Sequence, residues 1–107
     1  KTVEYMTRNH IAPEIFPIAF PGNIMWGTGF GLGFAVTMDA AQTQQIATDG
    51  EYNWGGAAST IFWIDPTEEL IVIMMTQLMS YTKDGVGVET SDYRGHLKAL
   101  VYQALVD

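Results

Sequence analysis

Residues 51–78 read EYNWGGAASTIFWIDPTEELIVIMMTQL, and this stretch decides the fold. It contains three runs typical of β-strands, at 51–56, 58–64 and 70–78, with Asp65-Pro66 as a turn signal before the third. The second and third runs are apolar on both faces. Because connections this short cannot make parallel crossovers, the three runs predict antiparallel neighbours.

The flanking sequence predicts one more strand and two helices. Residues 1–10 predict a short helix, 11–29 an ordered loop broken by three prolines, and 30–38 a strand thinned by glycines. Residues 39–50 are a polar connection, and 91–106 predict a C-terminal helix capped by Ser91 or Asp92. The apolar face expected on that helix is Tyr93, Leu97, Leu100, Val101, Ala104 and Leu105, with Arg94, Lys98 and Gln103 outside.

Together these elements predict an α+β fold. Residues 30–78 form an antiparallel β-meander of three to four strands, and both helices pack on one face. Strands that are apolar on both faces need cover on both sides, whereas two helices of this size cover one. We therefore expect the second layer to come from a partner chain or from sequence before Lys1 in a longer parent protein.

Composition narrows the classes of partner. The chain has 107 residues, of which 48% are hydrophobic, enough for one domain. Its formal charge of -7 repels a phosphate backbone, so we expect neither nucleic acid nor an anionic membrane as a partner. The longest apolar run, 70–75, is far short of the roughly 20 residues that span a bilayer. The chain has no cysteine, and the compartment stays open.

Several short motifs are weak candidates for chemistry. GFGLGF at 29–34 lacks the lysine or third glycine of a phosphate-binding loop and is better explained as a thinned strand. Ser80-Tyr81-Thr82-Lys83 spells S-x-x-K, a nucleophile motif that belongs at a helix start, but here it runs into Asp84-Gly85. His10 and His96 have no partner at metal spacing, so no metal site is expected.

The stretch Trp54-Gly55-Gly56-Ala57 leaves two interpretations open. Small residues inside a strand mark a place where another backbone or a ligand comes close. One interpretation is a tightly packed inner strand. The other is a strand facing a substrate, whose backbone N–H groups hold an oxyanion while the small side chains admit an acyl group.

The order GFGLGFAV, then EYNWGGAASTIFWIDPTEELIVIMMTQ, then a terminal helix resembles the C-terminal part of the serine β-lactamase and penicillin-binding-protein-like superfamily. The resemblance is strongest to the family VIII carboxylesterases and covers nearly the whole chain. It implies a fragment of the β-lactamase/transpeptidase-like fold, in which an N-terminal part supplies the first strands of a five-stranded antiparallel sheet and a helical lobe. That part would be the missing layer.

The resemblance also implies a site. Trp54-Gly55-Gly56 matches the family's Lys-Thr-Gly or His-Thr-Gly motif, and the N–H of Ala57 would be one oxyanion donor. Tryptophan in place of lysine removes a charge, which favours uncharged esters over β-lactams. The nucleophilic serine with its lysine, and the second-motif tyrosine, have no counterpart here and are expected before Lys1. We therefore expect no catalytic residue in this chain and no activity of the chain alone. We also expect no cofactor.

A non-catalytic hypothesis competes with this one. The chain would be a small self-associating or partner-binding domain whose bare strand packs against another subunit. Under either hypothesis the uncovered sheet predicts a homo-oligomer or association with the missing N-terminal part. For the hydrolase, the partner of the complete protein is a small-molecule ester or amide.

Overall fold

The computed structural model describes residues 1–78 and 91–106. The predicted α+β class, with antiparallel sheets and a C-terminal helix, is confirmed. Five strands form the main sheet in the order β3-β4-β5-β6-β7, and β1 and β2 form a separate hairpin. The elements are α1 (Thr2–Met6), a 3-10 turn (Pro13–Ile15), β1 (Ile18–Phe20), β2 (Asn23–Met25), β3 (Thr28–Phe30), β4 (Ala35–Thr37), α2 (Ala40–Thr43), β5 (Tyr52–Gly55), β6 (Ile61–Asp65), β7 (Leu70–Met74) and α3 (Ser91–Ala104).

Strands β5, β6 and β7 lie side by side and antiparallel, as their apolar runs predict. The β6–β7 turn is closed by Asp65, whose Oδ1 accepts from the N–H groups of Thr67 at 2.9 Å and Glu68 at 3.2 Å. This is the local hydrogen bonding that makes aspartate a turn residue. The meander from 51 to 74 is therefore set by its short apolar runs and by one turn that a side chain closes.

The segment predicted as one strand at 30–38 holds the end of β3, a turn and β4, and the main sheet has five strands rather than three to four. Strands β3 and β4 pair as a hairpin, and the Gly31 N–H donates to the Phe34 carbonyl at 2.8 Å across the turn. Gly33 has a φ of +101°, a conformation that side chains rarely adopt. Gly31 and Gly33 thus belong to a turn, whereas Gly29 lies inside β3.

The loop predicted at 11–29 contains regular structure. Strands β1 and β2 form a hairpin that turns at Gly22, where φ is +80°. Pro17 and Pro21 stand just outside β1, where a missing N–H costs no ladder hydrogen bond. The 39–50 connection contains α2, because the Asp39 carboxylate caps it by accepting from the N–H groups of Ala41 and Gln42.

The two terminal helices do not share a face of the sheet. Helix α1 ends at Met6 rather than near residue 10, and Asn9 beyond it fills the space where a Gly29 side chain would project. The strand register places that side of Gly29 opposite the face that carries Trp63. Helix α3 covers the Trp63 face, so the expectation of both helices on one face is wrong.

A buried polar cluster joins α3 to the sheet. Glu51 and Asp65 are fully buried, and the Lys98 ammonium lies 2.5 Å from Glu51 Oε1. The Tyr102 hydroxyl lies 2.8 Å from Glu51 Oε2 and 2.7 Å from Asp65 Oδ2. Lys98 also sits 5.8 Å from the centre of the Trp63 ring, within cation–π range. We call Glu51, Asp65, Lys98 and Tyr102 the docking cluster.

The docking cluster rotates α3 from its predicted orientation, although Leu97, Val101 and Leu105 are half-buried and Gln103 is exposed, as expected. Lys98, expected outside, is 8% exposed, whereas Leu100, expected inside, is 64% exposed. Arg94 also points to the sheet, where its guanidinium reaches the carbonyl oxygens of Gly56 and Thr60. The helix turns its cationic stripe inward because the sheet beneath it carries two buried carboxylates, and buried charges need a partner.

The opposite face of the sheet is apolar and partly uncovered. Phe34 makes edge contacts with the rings of Tyr52 and Phe62 near the centre of that face. Towards β7, Ile71 and Ile73 are each 66% exposed, and β7 pairs only with β6 within the described part of the chain. Among the described residues, no helix has the length and hydrophobicity to cross a membrane.

The docking cluster shifts two pKa values in opposite directions. Burial raises the pKa of Asp65, but hydrogen bonds from Tyr102, Thr48 and two backbone N–H groups lower it by more, so it lies below 3.8. Burial and then the two carboxylates raise the pKa of Tyr102 far above its usual value of 10.0. Asp65 therefore stabilises the fold above its unfolded pKa and loses this effect as the pH falls through its lower folded value.

Replacing Tyr102 by phenylalanine removes a hydroxyl that links Glu51 and Asp65 through one side chain. We expect Tyr102→Phe to lower the free energy of unfolding at pH 7 by about 1–3 kcal/mol, because buried acceptors lose a donor. The stabilisation by a neutral tyrosine is complete below about pH 10 and declines above it, by at most about 1.4 kcal/mol per pH unit. The difference between wild type and variant should therefore narrow from pH 10 upward.

Urea unfolding between pH 7 and 11, followed by tryptophan fluorescence, measures this difference. The matched control is Tyr5→Phe, which removes a tyrosine hydroxyl from the exposed surface of α1. A Tyr102→Phe variant as stable as Tyr5→Phe at pH 7 would contradict the role of the docking cluster.

Candidate functional site

The structure places Trp54, Gly55 and Gly56 at an open end of β5. On one side, Trp54 pairs with Phe62 and Gly55 with Ile61 of β6. On the other side, β4 reaches no further along β5 than Asn53. The last residues of β5 therefore extend past their neighbour and present a backbone edge on the β4 side.

Ala57 is the first residue beyond β5 whose N–H is available at this edge. The Gly56 N–H donates to the Thr60 carbonyl at 2.9 Å, so it faces β6. The Gly56 carbonyl accepts from the Ser59 N–H inside the turn, and the Ala57 N–H lies on the opposite side of the same planar peptide unit. Ala57 is exposed, and its N–H makes no hydrogen bond to another residue in the described ranges. It is a free donor at the open edge.

Trp54 stands beside this donor on the face away from α3. Its side chain is 42% exposed, and the Phe30 ring meets it edge to face with 5.2 Å between centroids. A groove of about 360 Å³ runs from Trp54 across the ends of β5, β6 and β7. It is lined by Trp54, Gly55, Gly56, Thr60, Ile61, Phe62, Ile73, Met74 and Met75, none of which carries a charge.

The two glycines are explained by atoms that lie close to them, from α3 at Gly55 and from Thr60 at Gly56. A Cβ on Gly55 would come within 3.1 Å of both Arg94 Nη1 and the Thr60 carbonyl oxygen. A Cβ on Gly56 would come within 2.6 Å of Thr60 Oγ1. Close packing by Arg94 explains why Gly55 is bare, and the outer edge of the strand borders a groove.

The turn that follows, residues 56–60, is held by hydrogen bonds within itself and by hydrogen bonds to the chain after β7. The Ser59 N–H donates to the Gly56 carbonyl at 3.0 Å, and the Ser59 hydroxyl donates to the Leu78 carbonyl at 2.5 Å. The Ala58 carbonyl accepts from the Thr76 hydroxyl at 2.5 Å and from the Leu78 N–H at 3.1 Å. Four hydrogen bonds thus hold the turn, and none of them uses the Ala57 N–H.

Sequence reasoning missed Arg94, because its position outside the apolar stripe of α3 is typical of a solvated cation. The signal that marks it is spacing, since Arg94, Lys98 and Tyr102 recur every four residues on one side of the helix. That polar stripe matches the buried acceptors of the sheet.

The remaining sequence candidates do not join the groove. Ser80-Tyr81-Thr82-Lys83 lies outside the described residues. His10 contacts the Tyr5 carbonyl through Nε2 at 2.9 Å and the Tyr5 ring edge to face, which is a local contact near α1. Within residues 1–78 and 91–106, no group of three His, Cys, Asp or Glu side chains converges as metal ligands would.

The fold is shared with part of a known hydrolase. A solved structure described as "EstCE1, a hydrolase with promiscuous acyltransferase activity" matches the chain with a TM-score of 0.71 and 24% identity, over 94% of the chain. The chain spans 23% of the length of that protein. No family model matches the chain, and the search of curated proteins finds no match. The likeness shows a fold that occurs in a hydrolase.

A methyl group at Gly55 tests the close approach of Arg94. We expect Gly55→Ala to lower the free energy of unfolding by about 1–3 kcal/mol, because the added Cβ overpacks a site bounded by the guanidinium and a backbone oxygen. The matched control is Gly95→Ala, next to Arg94 on α3, where a Cβ meets no atom within 4 Å. That variant should stabilise the chain by up to about 1 kcal/mol through helix propensity.

Chemical unfolding of both variants provides the measurement. If Gly55→Ala were as well tolerated as Gly95→Ala, Arg94 would not occupy the space beneath β5.

Proposed function

We propose that the chain is the C-terminal part of a β-lactamase-like serine hydrolase of the family VIII carboxylesterase type. It would supply one wall and one oxyanion donor of an ester-hydrolysing site. The observation that carries this proposal is the open end of β5, where Gly56 lines an uncharged groove and the next N–H, that of Ala57, makes no hydrogen bond to a described residue. The fold likeness to a hydrolase with acyltransferase activity supports it, because hydrolysis and acyl transfer share an acyl-enzyme step.

The proposed reaction has two acyl transfers. A serine oxygen attacks the ester carbonyl, the alcohol leaves after taking a proton, and water then hydrolyses the acyl-serine. Each step passes through a tetrahedral oxyanion, and an N–H aimed at that oxygen lowers its energy. In this chain the Ala57 N–H has that role, and the second donor would be the N–H of the serine itself.

The groove favours an uncharged acyl group. Its lining residues are apolar or small, and Trp54 offers a ring face where a lysine would bind a carboxylate. The formal charge of -7 adds long-range repulsion of anionic substrates. We therefore propose esters of small, uncharged acids as the substrate class, ahead of β-lactams and peptides.

The nucleophile would come from the part of the longer protein that precedes Lys1. Ser59, the serine closest in sequence to Trp54, is buried, and its hydroxyl donates to the Leu78 carbonyl, so it does not face the groove as an attacking group. The alternative within the chain is Ser80, whose S-x-x-K pattern carries its own lysine. On the proposed assignment, the chain alone is inactive.

The same N-terminal part would cover the uncovered face and the β7 edge. Ile71, Ile73 and Met75 expose apolar surface on adjoining positions, and an edge strand has unpaired N–H and C=O groups that accept another strand. This exposure also favours the non-catalytic alternative, in which a second copy covers the same surface. Both assignments predict that the isolated chain self-associates.

The size of the isolated chain in solution tests the uncovered face. We expect an oligomer by size-exclusion chromatography with light scattering, and we expect Ile73→Lys to shift it towards the monomer, because a charge opposes burial of that surface. Val3→Lys is the matched control, since Val3 is 63% exposed on α1, away from β7. A well-folded monomeric wild type would contradict the missing layer.

Hydrolysis of p-nitrophenyl acetate tests the proposed activity. We expect turnover by the longer protein that includes the coding sequence upstream of Lys1, and none by the isolated chain. Ser80→Ala in both proteins is the control for the S-x-x-K pattern, and it should change neither result. Activity of the isolated chain that Ser80→Ala abolishes would mean that the chain carries its own nucleophile. A start codon directly before Lys1 would favour the non-catalytic domain.

A further inference from the structure

We propose that Arg94 is a positioning residue for the oxyanion donor, the Ala57 N–H. From α3, Arg94 donates a hydrogen bond to the Gly56 carbonyl oxygen, which belongs to the same peptide unit as that N–H. This inference rests on the proposed function and assigns a role to a residue that does not touch the groove. Arg94 on the C-terminal helix would act on the oxyanion donor through the peptide unit of Gly56 and Ala57.

The contacts of Arg94 converge on the turn that carries the donor. Its Nη2 lies 3.3 Å from the Gly56 carbonyl oxygen and 3.4 Å from the Thr60 carbonyl oxygen. The side chain packs under Gly55, where a Cβ would meet Nη1 at 3.1 Å. One guanidinium therefore bridges both ends of the 56–60 turn, a task that its planar array of donors suits.

Peptide geometry transmits this contact to the donor. The Gly56 carbonyl and the Ala57 N–H belong to one peptide unit, which is planar and holds the two groups on opposite sides. Fixing the direction of the oxygen therefore fixes the direction of the N–H. A rotation of this plane would swing both groups together and turn the N–H away from the edge of β5.

A cation on the carbonyl also strengthens the donor. Hydrogen bonds in a chain polarise one another, and a charged donor on the oxygen draws electron density from the amide nitrogen. The Gly56 carbonyl accepts from the Ser59 N–H at 3.0 Å as well as from Arg94. Its peptide unit is thus polarised from two directions on the side opposite the groove.

The contacts that do not involve Arg94 make its role separable from folding. The Gly56 N–H to Thr60 carbonyl bond, the Ser59 N–H to Gly56 carbonyl bond and the Ser59 hydroxyl to Leu78 bond all remain when Arg94 is removed. The turn should keep its shape, while the peptide plane at 56–57 loses one of its two restraints. The expected loss is therefore in the rate of the chemical step rather than in stability or substrate binding.

The experiment compares Arg94→Ala, Arg94→Lys and Arg8→Ala in the longer protein, with kcat and KM for p-nitrophenyl acetate and a thermal unfolding curve for each. Arg8→Ala is the matched control, because Arg8 is an exposed arginine paired with Glu4 on the surface. We expect Arg94→Ala to lower kcat about 10–100-fold, since loss of a whole oxyanion donor costs roughly 100–1,000-fold. KM should change less than about threefold.

Partial rescue identifies the hydrogen bond as the cause. Arg94→Lys should recover part of the lost kcat because it keeps one charged donor, and guanidinium ion added to Arg94→Ala should recover part of it as well. Arg8→Ala should match wild type.

The outcomes separate the two proposals. If the wild-type longer protein does not hydrolyse the ester, the proposed function is wrong. If it does, and Arg94→Ala keeps the kcat of Arg8→Ala, the function stands and the positioning role is wrong. A rise in KM with kcat unchanged would also overturn it, because that result would mean that Arg94 binds the substrate directly.

Discussion

The ion pair between Lys98 and Glu51 is the interaction on which the rest of the structure depends. Both groups are buried, and Tyr102 adds a hydroxyl that reaches Glu51 and Asp65 together. A buried charge without its partner costs several kcal/mol, so this pair tolerates little rotation or sliding of α3. Apolar packing is less directional, and a helix held by it alone has more than one acceptable orientation.

The orientation of α3 determines what lies beneath the candidate site. Arg94 precedes Lys98 by four residues, close to one helical turn, so the two side chains share a face. When Lys98 is fixed on Glu51, Arg94 is brought under Gly55 and within reach of the Gly56 carbonyl. Glu51 and Gly55 belong to the same stretch of chain, four residues apart. Helix α3 is thus fixed by Glu51 just before β5, and its Arg94 contacts Gly56 just after β5.

The parts of the fold that follow from short-range pattern were predictable. Short runs rich in apolar and aromatic residues, bounded by turn signals, identify β5, β6 and β7. Strands of three residues, such as β1 and β4, are too short to show alternation, and the glycines between β3 and β4 fit a strand as well as a turn. These elements depend on pairing with distant segments.

The inward face of α3 was not predictable from hydrophobicity alone. The helix exposes Leu100 and buries Lys98, because the sheet beneath it carries the carboxylates of Glu51 and Asp65. These carboxylates lie more than 30 residues earlier in the chain, so the helix sequence alone does not reveal them. Arg94 was missed for the same reason. A polar stripe at four-residue spacing is an ordinary solvated face until the sheet beneath it is known to bury carboxylates.

The two faces of the sheet differ in how strictly they select the segment that packs on them. The α3 face uses charges and hydrogen bonds that accept one partner in one orientation, whereas the opposite face offers exposed isoleucines that any apolar surface can cover. Apolar cover would stabilise that face without fixing the groove, so the geometry of the proposed site depends on α3. A nucleophile brought by another segment would therefore meet a donor whose direction is set independently of that segment. Under the proposed function, the chain would contribute to catalysis by holding one peptide unit in place, and its stability and the alignment of the proposed donor would both depend on the docking cluster.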